Sequence, residues 1–154
     1  MSVRLKDVRE KNDLTQQNVA NILGISKTNY NYFENEERII PLKHLNSYCN
    51  KFDVSMDYVF GLIDKNIVYK SKKELDSELI GKRIREIRES KNLTQSKLAK
   101  ILNTSQSTIS SYESGSTLIL TSFLYELCKR LDVSMDYITG RSNVVKRFYS
   151  NKDY

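Results

Sequence analysis

The feature that most constrains this chain is an internal repeat. Residues 3–61 align with residues 82–140 at a constant offset of 79 and without a gap, and roughly a third of the aligned pairs are identical. The segment Leu14–Gln16 recurs as Leu93–Gln95, and Asp53–Tyr58 recurs as Asp132–Tyr137. Repetition at a fixed period indicates copies of one structural unit. The chain is therefore expected to contain two domains of the same fold.

The repeat also sets the predicted domain boundaries. We expect a first domain at 1–63, a polar and lysine-rich linker at 64–76, a second domain at 77–140 and a tail at 141–154. The tail has no hydrophobic period. It is expected either to be loose or to form a basic, aromatic arm through Lys146, Arg147, Phe148 and Tyr149.

Each domain has the pattern of an all-α fold with five helices. In the second repeat, Thr94 and Ser105 are suitable helix N-caps, because their hydroxyls can accept a hydrogen bond from a free backbone N–H. The apolar positions in 98–102 form one stripe, and Ile109 with Tyr112 form the next. The predicted helix starts of the first repeat are Ser2, Thr15, Ser26, Pro41 and Ser55, and the second repeat matches from about Ser77.

Composition argues against several functional classes. The chain has no nucleophile with a candidate histidine base, no phosphate-binding glycine loop and no metal-ligand spacing around its one histidine, His44. We therefore predict no enzyme activity, cofactor, metal or small-molecule ligand. Cys49 and Cys128 lie at equivalent apolar positions and are expected in the cores. No membrane span or signal peptide is evident, which favours a cytoplasmic location.

The residues around the two short helices resemble a known family. The order Leu-Thr-Gln, Ala, Leu, a break, Ser, an apolar residue and Glu occurs at 14–34 and 93–113. It is similar to the lambda-repressor/Cro-like helix-turn-helix domains of the XRE family. The resemblance implies two tandem five-helix DNA-binding domains in a transcriptional regulator, and a repressor in particular. The third helix of one or both domains would then read the major groove of double-stranded DNA.

The resemblance also implies roles for individual residues. Gln16 and Gln95 match the position that contacts phosphate and the start of the recognition helix. An ion pair between the first and third helices is implied for Arg9 with Glu34 and for Arg88 with Glu113. The implied base readers are Lys27, Thr28, Asn31 and Tyr32 in the first repeat and Gln106, Ser107, Ser110 and Ser111 in the second. The implied phosphate-contact loops contain Asn35 and Arg38 in the first repeat and Ser114, Ser116 and Thr117 in the second.

The two repeats depart from the family pattern in different ways. Gly115 keeps the glycine expected after the third helix, whereas Glu36 replaces it and stands beside Glu37. Residues 1–76 carry 12 Lys/Arg and 11 Asp/Glu, a net charge of +1, and residues 77–154 carry 13 and 8, a net charge of +5. Because phosphate neutralisation dominates non-specific DNA affinity, the second repeat is predicted to bind DNA better.

Two interpretations remain open for the first repeat and for the assembly. The first repeat is either a second DNA reader or a docking module, and the whole chain is alternatively a protein-interaction module such as an antitoxin. Two readers in one chain can serve two half-sites, or each repeat can pair with its counterpart in a homodimer.

Overall fold

In a computed structural model of the chain, residues 3–70 and 74–147 are described, and all regular secondary structure in these ranges is helical. Their contacts divide into two units, 3–70 and 74–147. The first unit contains α1 (Leu5–Lys11), α2 (Gln16–Leu23), α3 (Lys27–Glu34), α4 (Leu42–Phe52) and α5 (Met56–Val59). The second contains α6 (Ser77–Ser90), α7 (Gln95–Ile101), α8 (Gln106–Ser114), α9 (Thr121–Leu131) and α10 (Met135–Ile138). The predicted all-α fold with two five-helix domains is confirmed.

Most helices begin where the hydroxyl residues predict. Thr15 and Thr94 accept hydrogen bonds from the backbone N–H groups of Asn18 and Lys97, and so begin α2 and α7. Ser26, Ser55, Ser105 and Ser134 cap α3, α5, α8 and α10 in the same way. Such a bond satisfies one of the donors that a helix N-terminus leaves without a partner.

The predicted start of the first helix was wrong. Ser2 lies outside the described residues, and α1 begins at Leu5 with Arg4 at its N-cap position. No side chain caps this helix. The guanidinium of Arg4 instead donates to the carbonyl oxygens of Tyr58 and Ile63, at 2.6 and 2.7 Å. Arg4 therefore ties the start of α1 to the end of the first unit.

The apolar face of each helix lies in the core of its own unit. Leu5, Val19 and Leu45 are fully buried in the first unit, and Leu98 and Ile109 are at most 1% exposed in the second. Cys49 and Cys128 are buried, as their positions predict, and neither is part of a disulfide. Burial of these stripes fixes which faces of α3 and α8 point outward.

The repeat extends to the backbone conformation. Five pairs of equivalent residues, each 79 positions apart, all have a positive φ. Gly, Asn, Asp and Glu all occur at these positions, and two of the pairs join a glycine to a residue with a side chain. The position in the fold, rather than the residue type, therefore determines the backbone conformation. The pairs are Asp13 and Asn92, Gly24 and Asn103, Glu36 and Gly115, Asp53 and Asp132, and Gly61 and Gly140.

Helix α6 differs from α1 by extending further toward its N-terminus. Gly81 lies in this extension, against α8, and a Cβ at this position would be 2.4 Å from the carbonyl oxygen of Tyr112. Only glycine allows the two backbones to approach so closely. The contact fixes α8 closely against α6.

Residues 141–147 pack on the second unit, so the expectation of a loose tail was wrong for this segment. Arg141 and Asp136 form a buried ion pair at 3.1 Å. The carbonyl oxygen of Val145 accepts a hydrogen bond from the N–H of Ser134, at 2.9 Å. Arg147 pairs with Asp132 at 2.7 Å. The expected aromatic part of the arm, Phe148 and Tyr149, lies outside the described residues. The boundaries at 63, 76 and 140 stay a prediction.

Candidate nucleic-acid interface

The second repeat presents a polar surface on α8. Gln106 and Ser107, in its first turn, are exposed, and Ser110 and Ser111 are half-buried. On the opposite side Ile109 is 1% exposed and Tyr112 4%. The residues predicted to read bases therefore share the face of α8 that points away from the core.

A buried ion pair holds the end of α8 against α6. The guanidinium of Arg88 donates to both carboxylate oxygens of Glu113, through Nε at 2.5 Å and Nη2 at 3.1 Å. Its remaining nitrogen, Nη1, donates to the carbonyl oxygen of Leu93 at 2.7 Å. The Glu113 side chain is 4% exposed. The ion pair that the family resemblance implies for these two residues is therefore present, and its geometry is bidentate.

A chain of hydrogen bonds runs from this ion pair to the exposed end of α8. Nε2 of Gln95 donates to Oε2 of Glu113 at 2.7 Å. Nε2 of Gln106 then donates to Oε1 of Gln95 at 2.8 Å. The side chain of Gln95 thus connects the start of α7 both to the end of α8 and to its first residue.

The direction of these bonds is fixed by the ionised carboxylate. A carboxylate only accepts hydrogen bonds, so Gln95 must turn its NH2 group toward Glu113 and its oxygen toward Gln106. Gln106 must then turn its own NH2 group toward Gln95. Its Oε1 and its second N–H remain available, so Gln106 presents one acceptor beside one donor to the outside.

The first repeat has the same ion pair but a different connection to α3. Arg9 donates to Glu34 through Nε at 2.5 Å and Nη2 at 3.2 Å, and the Glu34 side chain is 1% exposed. Nε2 of Gln16 donates both to Oε2 of Glu34, at 2.8 Å, and to Oδ1 of Asn31, at 3.0 Å. Asn35 also donates to Oδ1 of Asn31, at 3.2 Å. The oxygen of Asn31 is fully used, and only its NH2 group is available.

The ion pairs shift the protonation equilibria of their members. Burial alone would raise the pKa of Glu34, but hydrogen bonds from Arg9 and Gln16 outweigh it and the net pKa is lowered. The hydrogen bond to Glu34 raises the pKa of Arg9 despite burial, and Glu113 does the same for Arg88. The ion pairs therefore favour the charged forms of Arg9, Glu34 and Arg88.

The other predicted DNA-contacting residues of the first repeat include charged, hydroxyl and aromatic side chains. Lys27 and Thr28 are exposed at the start of α3. The guanidinium of Arg38 lies over the half-buried ring of Tyr32, 4.5 Å from the ring centroid, and forms a cation–π contact. Arg38 and Asn35 are both exposed in the loop after α3.

The loops after the recognition helices differ in charge. In the second repeat Ser114, Ser116 and Thr117 are exposed and uncharged. The hydroxyls of Ser114 and Ser116 both donate to the carbonyl oxygen of Ser111, at 3.1 and 3.2 Å. In the first repeat the equivalent loop exposes the carboxylates of Glu36 and Glu37. Exposed carboxylates repel phosphate, so the second loop is the better surface for a nucleic-acid backbone.

Two contacts add detail to the sequence-based expectations. The family resemblance implies that Gln95 contacts the start of the third helix, and the structure gives its partner there as Gln106. Arg83, like Arg4, stacks on a tyrosine of its unit, with its guanidinium 4.3 Å from the centroid of Tyr137. The identity of Arg4 and Arg83 in the aligned repeats is the signal that identifies this second contact.

No helix within 3–70 or 74–147 is long and apolar enough to cross a membrane.

Two family comparisons match the chain, one in each repeat. The family described as "Helix-turn-helix domain" matches residues 3–65, and the family described as "Helix-turn-helix" matches residues 84–138. The matches do not overlap, and together they span most of the chain.

Individual relatives match one domain at a time. A Bacillus subtilis protein named uncharacterized HTH-type transcriptional regulator YobD is 38% identical over 61 residues, 40% of this chain and 54% of that protein. Antitoxin PezA of Streptococcus pneumoniae is 31% identical over 67 residues, 44% of this chain and 42% of that protein. The chain thus spans about half the length of these relatives. A solved structure of the P22 c2 repressor with a synthetic operator is 33% identical, covering 42% of this chain and 97% of that one, with a TM-score of 0.40.

Proposed function

Because this chain belongs to the helix-turn-helix family, as two tandem domains of the lambda-repressor/Cro-like (XRE) type, we propose that it is a sequence-specific DNA-binding transcriptional regulator. It acts as a repressor in the cytoplasm by occupying DNA that polymerase needs. The single observation that carries the proposal is the outward amide edge of Gln106, held in one orientation by Gln95 and Glu113.

The Gln106 edge selects a base. In the major groove, Oε1 of Gln106 can accept from the N6 amino group of adenine while its free N–H donates to N7. This is the bidentate contact that glutamine makes with adenine. Guanine offers two acceptors at the same edge and would leave Oε1 of Gln106 without a donor. We infer that Gln106 reads an adenine, with Ser107, Ser110 and Ser111 beside it. Ser114, Ser116, Thr117 and Gln95 contact the phosphates.

The groups proposed to read DNA in the first repeat differ from those of the second. Lys27 and the NH2 group of Asn31 are donors only, which suits the two acceptors of guanine or a phosphate. Thr28 and Tyr32 flank them, and Gln16, Asn35 and Arg38 lie toward the backbone contacts. Because Glu36 and Glu37 oppose phosphate binding, the second repeat supplies most of the affinity.

The experiment selects DNA from a random pool with the full chain and then measures mobility shifts on the selected duplex. Gln106→Ala should weaken specific binding by about 1–3 kcal/mol, the contribution of one bidentate base contact. Ser96→Ala, a change at an exposed residue of α7 outside the proposed contacts, is the matched control. A selected pool with no enriched sequence, or equal affinities for the two variants, would overturn the proposal.

Base identity gives a second test. Replacing the contacted A·T pair by G·C should lower the affinity of the wild-type chain but change that of Gln106→Ala little, because the discriminating edge is gone. Affinity should also fall steeply with salt as counterions return to the DNA. Salt dependence without base discrimination would indicate non-specific binding only.

A protein-interaction module is the second candidate, and the first repeat favours it. Its loop carries two exposed carboxylates where the second repeat has Gly115 and Ser116. One relative is named an antitoxin. Under this alternative, the Gln106→Ala variant would keep every interaction of the chain, whereas charge reversal at Glu36 and Glu37 would abolish binding to the protein partner. A homodimer is compatible with either function, and sedimentation at several concentrations tests it.

A further inference from the structure

The first unit has a partly open cavity beside the end of α3. Its volume is about 160 Å3, and its floor is formed by Phe33, Ile40 and Phe60. These three side chains are at most 8% exposed, while Ile39 forms a wall and is 41% exposed. An apolar cavity of about 150 Å3 holds a benzene ring. This cavity therefore has room for one side chain the size of leucine or phenylalanine.

Two opposite charges lie at the edge of the apolar floor. Glu36 and Arg38 both line the cavity, and both are exposed. Among residues 3–70 and 74–147, neither forms an ion pair. The carboxylate of Glu36 accepts one hydrogen bond, from the N–H of Val3 at 2.7 Å, and Arg38 stacks on Tyr32. One carboxylate oxygen and the donors of the guanidinium are thus available to a ligand.

Glu36, whose carboxylate lies at the edge of the cavity, has an unfavourable backbone conformation. Glu36 has a φ of +58°, in the left-handed region that disfavours residues with a Cβ. Gly115 is its counterpart in the second repeat, and Thr117 is the counterpart of Arg38. The second repeat therefore has neither charge. A left-handed backbone also occurs at other residues with a side chain, such as Asp13 and Asp53, so the pair of charges and not the strain distinguishes this cavity.

We propose that the cavity of the first unit binds a free α-amino acid with an apolar side chain. The side chain fills the space over Phe33, Ile40 and Phe60, the ammonium group contacts Glu36, and the carboxylate contacts Arg38. Charge-assisted hydrogen bonds of this kind fix the orientation of a small ligand in an otherwise apolar pocket. The site includes none of the proposed base readers of either repeat, although its Arg38 is also a proposed backbone contact of the first repeat. The sequence does not reveal this site.

Calorimetric titration of the full chain, without DNA, tests the site. L-leucine, L-isoleucine and L-phenylalanine are the probes, and at least one should bind saturably at one site per chain. Leucinamide lacks the carboxylate and 4-methylpentanoate lacks the ammonium group, so each should bind at least about tenfold more weakly than leucine, the loss expected for one charge-assisted contact. These analogues act on the unmodified protein, so the result does not depend on a variant folding.

Variants provide the second arm of the test. Glu36→Gln and Arg38→Gln should each weaken leucine binding by about tenfold or more, whereas Glu37→Gln, at an exposed neighbour that does not line the cavity, should not change it. Absence of saturable binding at millimolar concentrations, equal affinity for leucine and both analogues, or equal effects of Glu36→Gln and Glu37→Gln would each overturn the proposal. None of these outcomes bears on whether the second repeat reads DNA.

Discussion

Glu36 and Gly115 are equivalent residues that share a left-handed backbone, with φ of +58° and +76°. Their surroundings differ. A Cβ on Gly115 would lie 2.9 Å from the Cα of Glu78, at the N-terminal end of α6. In the first repeat α1 begins only at Leu5, and the Glu36 carboxylate accepts a hydrogen bond from the N–H of Val3. A side chain is therefore tolerated after α3 but excluded after α8.

The first prediction concerns this difference. Gly115→Ala should be more destabilising than Gly24→Ala, although both residues have a positive φ. Gly24 has no atom within 4 Å of an added Cβ, so its substitution should cost only the left-handed strain, about 1–2 kcal/mol. Gly115→Ala adds a backbone clash. Urea unfolding followed by circular dichroism measures both, and equal losses would contradict the crowding.

The second prediction concerns the buried ion pair of the second repeat. Arg88→Met should lower the free energy of unfolding by about 3–5 kcal/mol, because Glu113 would keep a buried charge without its partner. The double variant Arg88→Met with Glu113→Gln should recover part of this loss. Arg85→Met, which removes an exposed partner of Glu89, is the control and should cost about 0–1 kcal/mol.

The third prediction is a pH dependence set by Glu34. Its pKa is lowered in the folded state, so its contribution to stability is complete above the unfolded value of about 4.3 and is lost as the pH falls through the folded value. The raised pKa of Arg9 acts only at strongly alkaline pH. Stability of Glu34→Gln, measured by urea unfolding across the acid range, should therefore decline less steeply than that of the wild type. If the stability of Glu34→Gln and of the wild type fell in parallel with pH, groups other than Glu34 would be responsible for the loss of stability in acid.

The fourth prediction separates two buried tyrosines. The hydroxyl of Tyr48 donates to the carbonyl oxygen of Leu5 at 2.7 Å, whereas the hydroxyl of Tyr30 lies close to Glu34 and Tyr48 without a hydrogen bond of good geometry to any described residue. Tyr48→Phe should therefore cost about 0.5–1.5 kcal/mol, and Tyr30→Phe should cost less. Thermal unfolding of the two variants makes the comparison. A larger loss for Tyr30→Phe would contradict this order and would assign the stronger hydrogen bond to the contact of Tyr30 with Glu34 or Tyr48.

Local sequence signals predicted much of the fold, because they depend on neighbouring residues. Thr15 and Ser105 cap the helices they precede, and Tyr112 lies on the buried face that its spacing indicates. The two ion pairs were predicted from family resemblance rather than from local pattern, and both form.

Contacts that depend on three-dimensional distance were not predictable from the residues alone. Gln95 and Gln16 are equivalent residues, yet Gln95 bonds to Gln106 whereas Gln16 bonds to Asn31, and the sequence does not give the distances that decide between these partners. The packing of residues 141–147 was missed because it depends on hydrogen bonds to backbone carbonyls, such as those of Val145 and Ser142, and on arginine ion pairs. Such contacts leave no hydrophobic period in the sequence.

The relay from Glu113 through Gln95 has a consequence for the evolution of binding specificity. A primary amide can rotate by half a turn at almost no steric cost, exchanging its oxygen and nitrogen. Gln106 is kept from rotating because the Glu113 carboxylate, which only accepts hydrogen bonds, fixes the orientation of Gln95 and so that of Gln106. We expect Glu113→Gln to leave Gln106 free to invert and to accept either purine. Base preference in this protein would then be governed by a side chain that never meets the duplex.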